Sequence, residues 1–438
     1  MKALVVNPWI TDFKLYDEWM HPCGLYFLMS LLSQRGVEVF YWNCLSIPNL
    51  GKTKANGTGD FPSVEYPKPA LYKTIRRRYK KYGVAEADFE NYVLSIPRPD
   101  MIFVGSSMTY WVTGVKETVN FLAKIFPDVP CVVGGSAASL MPSVMKSLLP
   151  TASIFSGSLF DRTCFKAVGV PFLSTMTGLA PDSSMLPGLG FLEKARHIPV
   201  LTSFGCPLSC SYCASWSLEG DFRSRPPGTV VDEIEFLTGK FSVKNAAFYD
   251  DALLFKPAGH LLPFCKLLSD RKISLNFHTP NGMHVSFLTA ELLDIMKGAG
   301  FSTLRFGYES GASDQRCHTG GKSTFEMISR KVRLMVGSGF SGKQIGVYVM
   351  AGLPGQMPEH VLCELDAVAS LGILVKPVFL SPVPKTRLFG QYAALHPEIL
   401  TDPLSHNDSY FITLLPGWDS EAVQGILDRA KRHNCRFS

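Results

Sequence analysis

The sequence predicts an α/β protein made of two consecutive parallel-sheet domains. A doubly wound, Rossmann-like sheet is expected over residues 1–155, and a partial (β/α)6 barrel over residues 196–386. A linker over 156–195 would join them, and a short C-terminal extension would fill 387–438. Three observations support this. Apolar runs of four to six residues alternate with helix-period segments along most of the chain, small residues punctuate the ends of the runs, and 438 residues at 46% hydrophobic and 18% charged suffice for two full cores.

In the first domain, Ala3–Val6 reads as a buried strand stopped by Asn7-Pro8. Leu25, Leu28, Met29, Leu31 and Leu32 mark a helix over 24–34 that Gly36 ends, and Val37–Trp42 is the next strand. Met101–Val104 runs into Gly105-Ser106-Ser107, a helix follows over Val115–Ile125, and Cys131–Val133 ends at Gly134-Gly135. In open α/β sheets ligands bind outside the carboxyl ends of strands, and small residues there let a large ligand approach the backbone. Residues 43–97 interrupt the alternation. Their stretch Gly51–Gly59 lacks the order of a phosphate-binding P-loop and reads as part of a long insertion over a cofactor edge. Between 156 and 195, Pro171, Pro181 and Pro187 with several glycines suggest the linker.

The second domain opens with the strand Pro199–Ser203. Helix Val230–Leu237, strand Ala246–Tyr249, helix Leu261–Leu268, strand Ser274–Phe277, helix Thr289–Lys297 and strand Thr303–Phe306 follow. A helix to Val336, strand Gln344–Met350, helix Glu359–Leu371 and strand Val375–Leu380 complete six units, with chemistry expected on the loops after the strands. One amphipathic helix is expected near the end, over Ser420–His433.

Between the first of these strands and its helix, Cys206, Cys210 and Cys213 form C-x3-C-x2-C. Thiolates are soft ligands for zinc or iron–sulfur clusters, and a structural zinc needs a fourth ligand nearby. No second C-x2-C or C-x2-H exists. Three cysteines on a four-iron cluster leave one iron open to a substrate or cofactor, so the spacing favours chemistry; the alternative is a group of buried structural thiols.

With Tyr212 directly before its third cysteine, the motif resembles that of the radical S-adenosylmethionine (radical SAM) enzymes. Downstream, Asp250-Asp251, Gly307-Tyr308-Glu309-Ser310-Gly311 and Gly352-Leu353-Pro354-Gly355 follow in the order seen in one large branch of that superfamily. Ser381–Thr386 and Asp402–Asn407 also look like that branch. The resemblance implies a [4Fe-4S] cluster on Cys206, Cys210 and Cys213, whose open iron chelates SAM and cleaves it reductively. It implies Tyr212 at the cofactor, Asp250 or Asp251 near the SAM amino group, Glu309 and Ser310 near its ribose or the cavity, and Gly352, Pro354 and Gly355 against the adenine. An external low-potential electron donor is implied as partner.

The first domain resembles the cobalamin-binding domain of the same branch through Pro22, Gly24, Ser106–Trp111 and Val132–Gly135. That implies Ser106, Ser107, Gly134 and Gly135 at the corrin or its nucleotide tail. Trp19 stands where the branch's histidine-ligating members carry Asp, so His21 reads as a loop residue and the lower face of a cobalamin as free of protein histidine. Phe204 stands where Arg is common, two residues before Cys206. The implied activity is cobalamin-dependent C-methylation of an unactivated carbon. The alternatives are a radical SAM rearrangement, cyclisation or oxidation without methyl transfer, and an iron–sulfur electron carrier or sensor. The substrate is not legible.

Composition bounds the setting. Eleven scattered cysteines do not form a disulfide framework, which suggests the reducing cytosol. The longest stretch without charge, 197–218, holds the cysteine motif, two prolines and five serines, so no membrane span is expected. Seven Lys and Arg lie between Lys68 and Lys81 without an acid and account for the net charge of +6. That run reads as a solvated helix face, with a nucleic-acid patch as the alternative.

Overall fold

The structure is a computed structural model that describes residues 1–46, 53–161, 163, 165–168, 170–174, 176–180, 182–309 and 323–437. The chain divides into two compact units. The first comprises 1–196, 236–243 and 396–405; the second comprises 197–235, 244–395 and 406–438.

The first unit is built on five parallel strands: β1 (Lys2–Asn7), β2 (Glu38–Asn43), β3 (Met101–Ser106), β4 (Cys131–Gly135) and β5 (Ser153–Ile154). Their order is β5-β4-β3-β1-β2, so the chain reverses direction across the sheet after β2, as in a doubly wound fold. Continuous apolar runs explain the burial of β1 and β3 on both faces, with Leu4, Val6, Ile102 and Val104 buried on one and Ala3, Val5, Met101 and Phe103 on the other. Helix α1 (Cys23–Gln34) buries Leu25, Leu28, Met29, Leu31 and Leu32 and stops before Gly36, whose φ of 72° continues no right-handed helix. Helix α2 (Val112–Ile125) buries Val115, Val119 and Leu122. Gly114 lets it lie against the chain, since a Cβ there would stand 2.0 Å from the Trp9 carbonyl oxygen.

Two segments of this unit have surroundings that the sequence alone did not show. The segment 156–195, expected as an interdomain linker, packs within the unit: Phe165, Leu173, Met185 and Leu189 are buried, and the Gly188 N–H donates to Ser30 Oγ at 2.9 Å. A Cβ on Gly188 would meet the Tyr26 carbonyl of α1 at 1.9 Å, so this glycine serves close packing rather than flexibility. The basic run is not a helix face. Ser63–Glu65 and Lys80–Tyr82 join Ile10–Asp12 in a three-stranded antiparallel sheet, and the chain between them turns through one 3-10 segment, Ala70–Tyr72. Buried aromatics hold it: Tyr72 donates to Leu404 O at 2.6 Å and Tyr79 to Thr11 Oγ1 at 2.9 Å. Residues 47–52 of the insertion lie outside the described residues.

The second unit is a six-stranded, all-parallel sheet in sequence order: β6 (Ile198–Val200), β7 (Asn245–Phe248), β8 (Asn276–His278), β9 (Phe301–Tyr308), β10 (Ile345–Ala351) and β11 (Leu374–Phe379). β6 and β11 are its two edges, so the barrel is open. Helices α3 (Pro227–Lys240), α4 (Leu261–Asp270), α5 (Ala290–Gly298), α6 (Phe325–Gly337) and α7 (Pro358–Ala369) follow successive strands. Phe248, Phe264, Phe277 and Phe301 fill the core, with the Phe248 and Phe301 rings stacked at 5.1 Å.

The C-terminal extension does not form a body of its own. Helix α8 (Ser420–Asn434) starts on Asp419, which accepts from the N–H groups of Glu421 and Ala422 at 2.9 and 2.8 Å. It ends on Asn434, whose amide accepts from Val375 N–H at 3.0 Å and donates to Val375 O at 2.7 Å, standing in for a neighbour at the edge strand β11. Among the described residues no helix is long and apolar enough to cross a membrane.

Candidate active site

The cysteine loop leaves β6 through Ser203-Phe204, which pair antiparallel with Arg223-Ser224, and ends at the short helix Ser215–Glu219. Gly205 makes the closure possible: at φ 71° a Cβ would stand 2.6 Å from Gly220 O and 2.7 Å from Asp221 O. Cys206 is buried, Cys210 half-buried and Cys213 exposed, and none of the three is in a disulfide. Ser215 lies against Cys213, its N–H 3.5 Å and its Oγ 3.1 Å from Sγ. Hydrogen bonds to sulfur favour the thiolate and tune a bound cluster. Among the described residues no three His, Cys, Asp or Glu side chains converge on one point as ligands of a single metal ion would. A cubane instead spreads its thiolates over separate irons, so three soft donors on one closed loop fit it.

Buried hydrogen bonds tie this loop to the exits of two barrel strands. At the end of β7, Asp250 accepts from the Thr202 N–H at 3.0 Å, Thr202 Oγ1 at 2.6 Å and Ser203 Oγ at 2.6 Å. The carboxylate is only 3% exposed, and three donors offset the cost of burying it. Behind Thr202, His260 Nδ1 lies 2.7 Å from Oγ1 while its Nε2 donates to Phe255 O at 3.0 Å. The neighbouring Asp251 is exposed, and its charge adds to burial in pushing the Glu219 carboxyl up. The two acids predicted as one pair therefore occupy different surroundings.

At the end of β9, Glu309 is 2% exposed and accepts from Tyr212 Oη at 2.7 Å. Burial holds the Tyr212 hydroxyl well above its usual range, with the Glu309 and Cys210 charges adding to it, so the phenol stays a donor. Ser310 lies outside the described residues.

After β10 the turn Gly352–Gly355 is stapled from beneath. Gly352 has φ 94° and Gly355 φ 72°, conformations that favour glycine. Gln356 Oε1 accepts from the N–H groups of Gly352 and Leu353 at 2.9 and 3.1 Å, and its Nε2 donates to Met350 O at 3.1 Å. Tyr392 donates to Gly352 O at 2.6 Å, and Trp418 Nε1 to Gln356 O at 2.8 Å. Both polar backbone groups of Gly352 are therefore engaged, and the glycine contributes shape.

Phe204 also finds a physical account. The Arg223 guanidinium sits 4.6 Å from its ring centroid, so a cation stands beside the loop although Phe replaces Arg at that position. Arg225, fully buried, pairs through both outer nitrogens with Glu233 at 2.6 and 3.0 Å and donates to Leu201 O at 2.8 Å. Sequence reasoning missed Thr202, Ser203, Arg225, Glu233 and Gln356. Only the polar residues interrupting apolar stretches next to the motifs signalled them.

In the first unit, β3 and β4 lie in register, with Gly105 opposite Gly134 and Ser106 opposite Gly135. Ser106 Oγ donates to Gly134 O at 2.7 Å and accepts from Ala138 N–H at 3.2 Å. Gly135, at φ 105°, passes so near that a Cβ would stand 2.1 Å from Ser106 O. Ser107 is exposed beside them. All four residues predicted for a corrin ligand meet at these two strand ends, and their small side chains fit a broad flat group. His21, on the loop before α1, has Nδ1 2.9 Å from Tyr26 Oη, and Trp19 Nε1 donates to Asn56 O at 2.7 Å.

Residues 200–364 match the model of the Radical SAM superfamily. The chain is 23% identical over 283 residues to an anaerobic magnesium-protoporphyrin IX monomethyl ester cyclase of Rubrivivax gelatinosus, an alignment spanning 55% of this chain and 49% of the relative. It thus spans about half the length of that relative. Among solved structures it resembles the radical S-adenosylmethionine methyltransferase TsrM from Kitasatospora setae with tryptophan and a SAM analogue bound. That match has a TM-score of 0.69 at 16% identity, covering 99% of this chain and 89% of that one. The same enzyme with cobalamin and a [4Fe-4S] cluster bound matches at TM-score 0.65 and 15% identity, covering 99% and 90%. These likenesses show the fold.

Proposed function

We propose, from the premise that this chain belongs to the radical SAM superfamily, that it is a cobalamin-dependent C-methyltransferase acting on an unactivated carbon. The observation that carries the reading is the suspension of three thiols outside any disulfide from the exits of β7 and β9, through Asp250 with Thr202 and Ser203 and through Glu309 with Tyr212. When bound, the cluster supplies one-electron cleavage of SAM and cobalamin supplies a transferable methyl group.

Cys206, Cys210 and Cys213 would hold the cluster as thiolates, with Ser215 against the sulfur of Cys213. Tyr212 keeps its proton and fixes Glu309, which with Ser310 is assigned to the ribose side. Exposed Asp251 is assigned to the SAM ammonium, because Asp250 already accepts from three donors on the adjoining strand. Gly352, Pro354 and Gly355 offer the adenine a close backbone surface. In the first unit Ser107 and the Ser106–Gly134–Gly135 platform are assigned to cobalamin. TsrM, with the same fold, is a methyltransferase described with cobalamin and a cluster bound, which supports this assignment. An external low-potential electron donor and the reducing cytosol are proposed as partner and setting.

A second reading keeps the barrel chemistry without methyl transfer, and the likeness to an ester cyclase favours it. Anaerobic reconstitution with iron, sulfide and cobalamin, then desalting, metal counts and a visible spectrum, distinguishes the two. About four irons and one cobalt per chain are expected. Iron without cobalt, with 5′-deoxyadenosine formed, would select the second reading, and no iron would overturn both.

A further inference from the structure

The basic run forms a concave site that the proposed reaction does not use. A cleft of about 540 Å³ is lined by Glu65, Tyr66, Pro67, Lys68, Arg76, Arg77, Arg78 and Tyr79, all in the first unit. Its rim is one loop whose stem is closed by the Tyr66 N–H donating to Tyr79 O at 2.9 Å. Buried Tyr72, Ile75 and Tyr79 anchor the loop from below, so its cations are presented on a fixed frame. Lys68 Nζ donates to Ile75 O at 2.6 Å, bracing the loop across its width.

Four cations face one carboxylate here. The contact between Arg78 and Glu65 is long, 3.9 Å, between side chains 78% and 70% exposed, so it holds Arg78 weakly. Farther along the chain Lys81 is already engaged: it lies 3.1 Å from Glu117, 3.6 Å from Glu86 and 4.2 Å from the Trp9 ring centroid. Guanidinium forks match oxyanions two hydrogen bonds at a time, and a concavity of this size falls in the range of roughly 300–1,000 Å³ typical of small-molecule sites.

We propose that this cleft binds a phosphate-bearing small molecule, with Arg76 and Arg78 as its main contacts and Lys68 beside them. A nucleic acid is the less favoured occupant, because it needs cations spaced along a strand, whereas these are gathered on one loop.

Inorganic pyrophosphate is the probe, titrated calorimetrically into the full chain at about 50 and 200 mM salt. Saturable binding near one per chain is expected. The Arg76→Ala/Arg78→Ala double variant should weaken it at least about tenfold, from the loss of charge-assisted hydrogen bonds. Arg98→Ala removes a 58% exposed cation elsewhere in the same unit and should leave affinity within about twofold. Because Arg76 and Arg78 are exposed, the unfolding midpoint should not move; if it does, Arg78→Gln alone, expected to weaken binding about threefold, replaces the double variant. Equal losses in the Arg98→Ala and cleft variants, or no saturation, would overturn the proposal. So would a single-stranded RNA that binds more tightly than pyrophosphate and gains affinity with length.

Discussion

Two parallel sheets end their strands in opposite ways. At the ends of β3 and β4 the first unit presents Ser106, Ser107, Gly134 and Gly135, and its polar groups bond to one another through Ser106 Oγ. The ends of β7, β9 and β10 in the second unit carry Asp250, Glu309 and Gln356, each buried, the two acids bonded to the segment that carries the cysteines and the amide to its own turn. The first arrangement leaves a smooth surface defined by the absence of side chains. The second fixes the direction in which the chain leaves each strand, because a buried carboxylate is tolerated only where its donors are in place. Function in the first unit should therefore be sensitive to added atoms, and in the second to removed ones.

Four substitutions or conditions test that contrast, in decreasing order of effect. Cys210→Ala should reduce bound iron to background and abolish 5′-deoxyadenosine formation, measured by iron count and chromatography, while cobalamin uptake by the first unit persists. Retention of either iron or SAM cleavage would remove the cluster assignment.

Asp250→Ala strands the Thr202 N–H and two hydroxyl donors, and a loss of about 3–5 kcal/mol from the second unit is expected. Denaturant unfolding followed by Trp fluorescence reads it, and iron retention after desalting should fall in parallel.

Gly135→Ala is the mirror test. A Cβ 2.1 Å from a carbonyl oxygen at φ 105° cannot be relieved by a rotamer, so about 2–4 kcal/mol should be lost and cobalamin uptake reduced. The matching Gly352→Ala meets the movable tip of Ile412 at 2.7 Å and should cost about half as much. If the two cost the same, the first unit's sensitivity to added atoms is not special.

The fourth concerns pH. Burial, followed by the Arg305 and His197 charges, pushes His278 from 6.5 down to about 4. Its Nε2 donates to Asn245 Oδ1 at 3.1 Å, so Nδ1 accepts from Thr303 Oγ1 at 3.0 Å and the ring is neutral. Between pH 4 and 6.5 the unfolded chain binds the extra proton, so stability is full above 6.5 and falls as pH drops toward 4, by at most about 2–3 kcal/mol. His278→Gln should flatten that slope in denaturant titrations at pH 5 and 7. A slope unchanged by the substitution would assign the acid sensitivity to other groups.

Periodicity and composition made the strands and helices legible, because each needs only its own residues to declare which face is buried. The six barrel strands and the five strands of the first sheet are those expected, save β5, whose two residues are too short to show a period. Cys206, Cys210 and Cys213 were legible for a related reason, since a motif on one loop carries its geometry in its spacing. The linker was not: proline and glycine mark turns, but whether a glycine loosens the chain or lets Gly188 pack against α1 depends on a partner 158 residues away. The basic run looked like a helix face because charge spacing cannot see Tyr72, Tyr79 and Tyr82 turning inward.

What the sequence by itself determined is the fold class, the order of the elements and the identity of the motif residues. Only the tertiary structure separated Asp250 from Asp251, joined Tyr212 to Glu309 across 97 residues, set Gln356 beneath the glycine turn and gathered Arg76 and Arg78 over a cleft. The reason is common to the first two. Local propensity sets the path of the backbone, whereas the state of a buried polar group is set by donors and acceptors that arrive from other elements once the chain has folded.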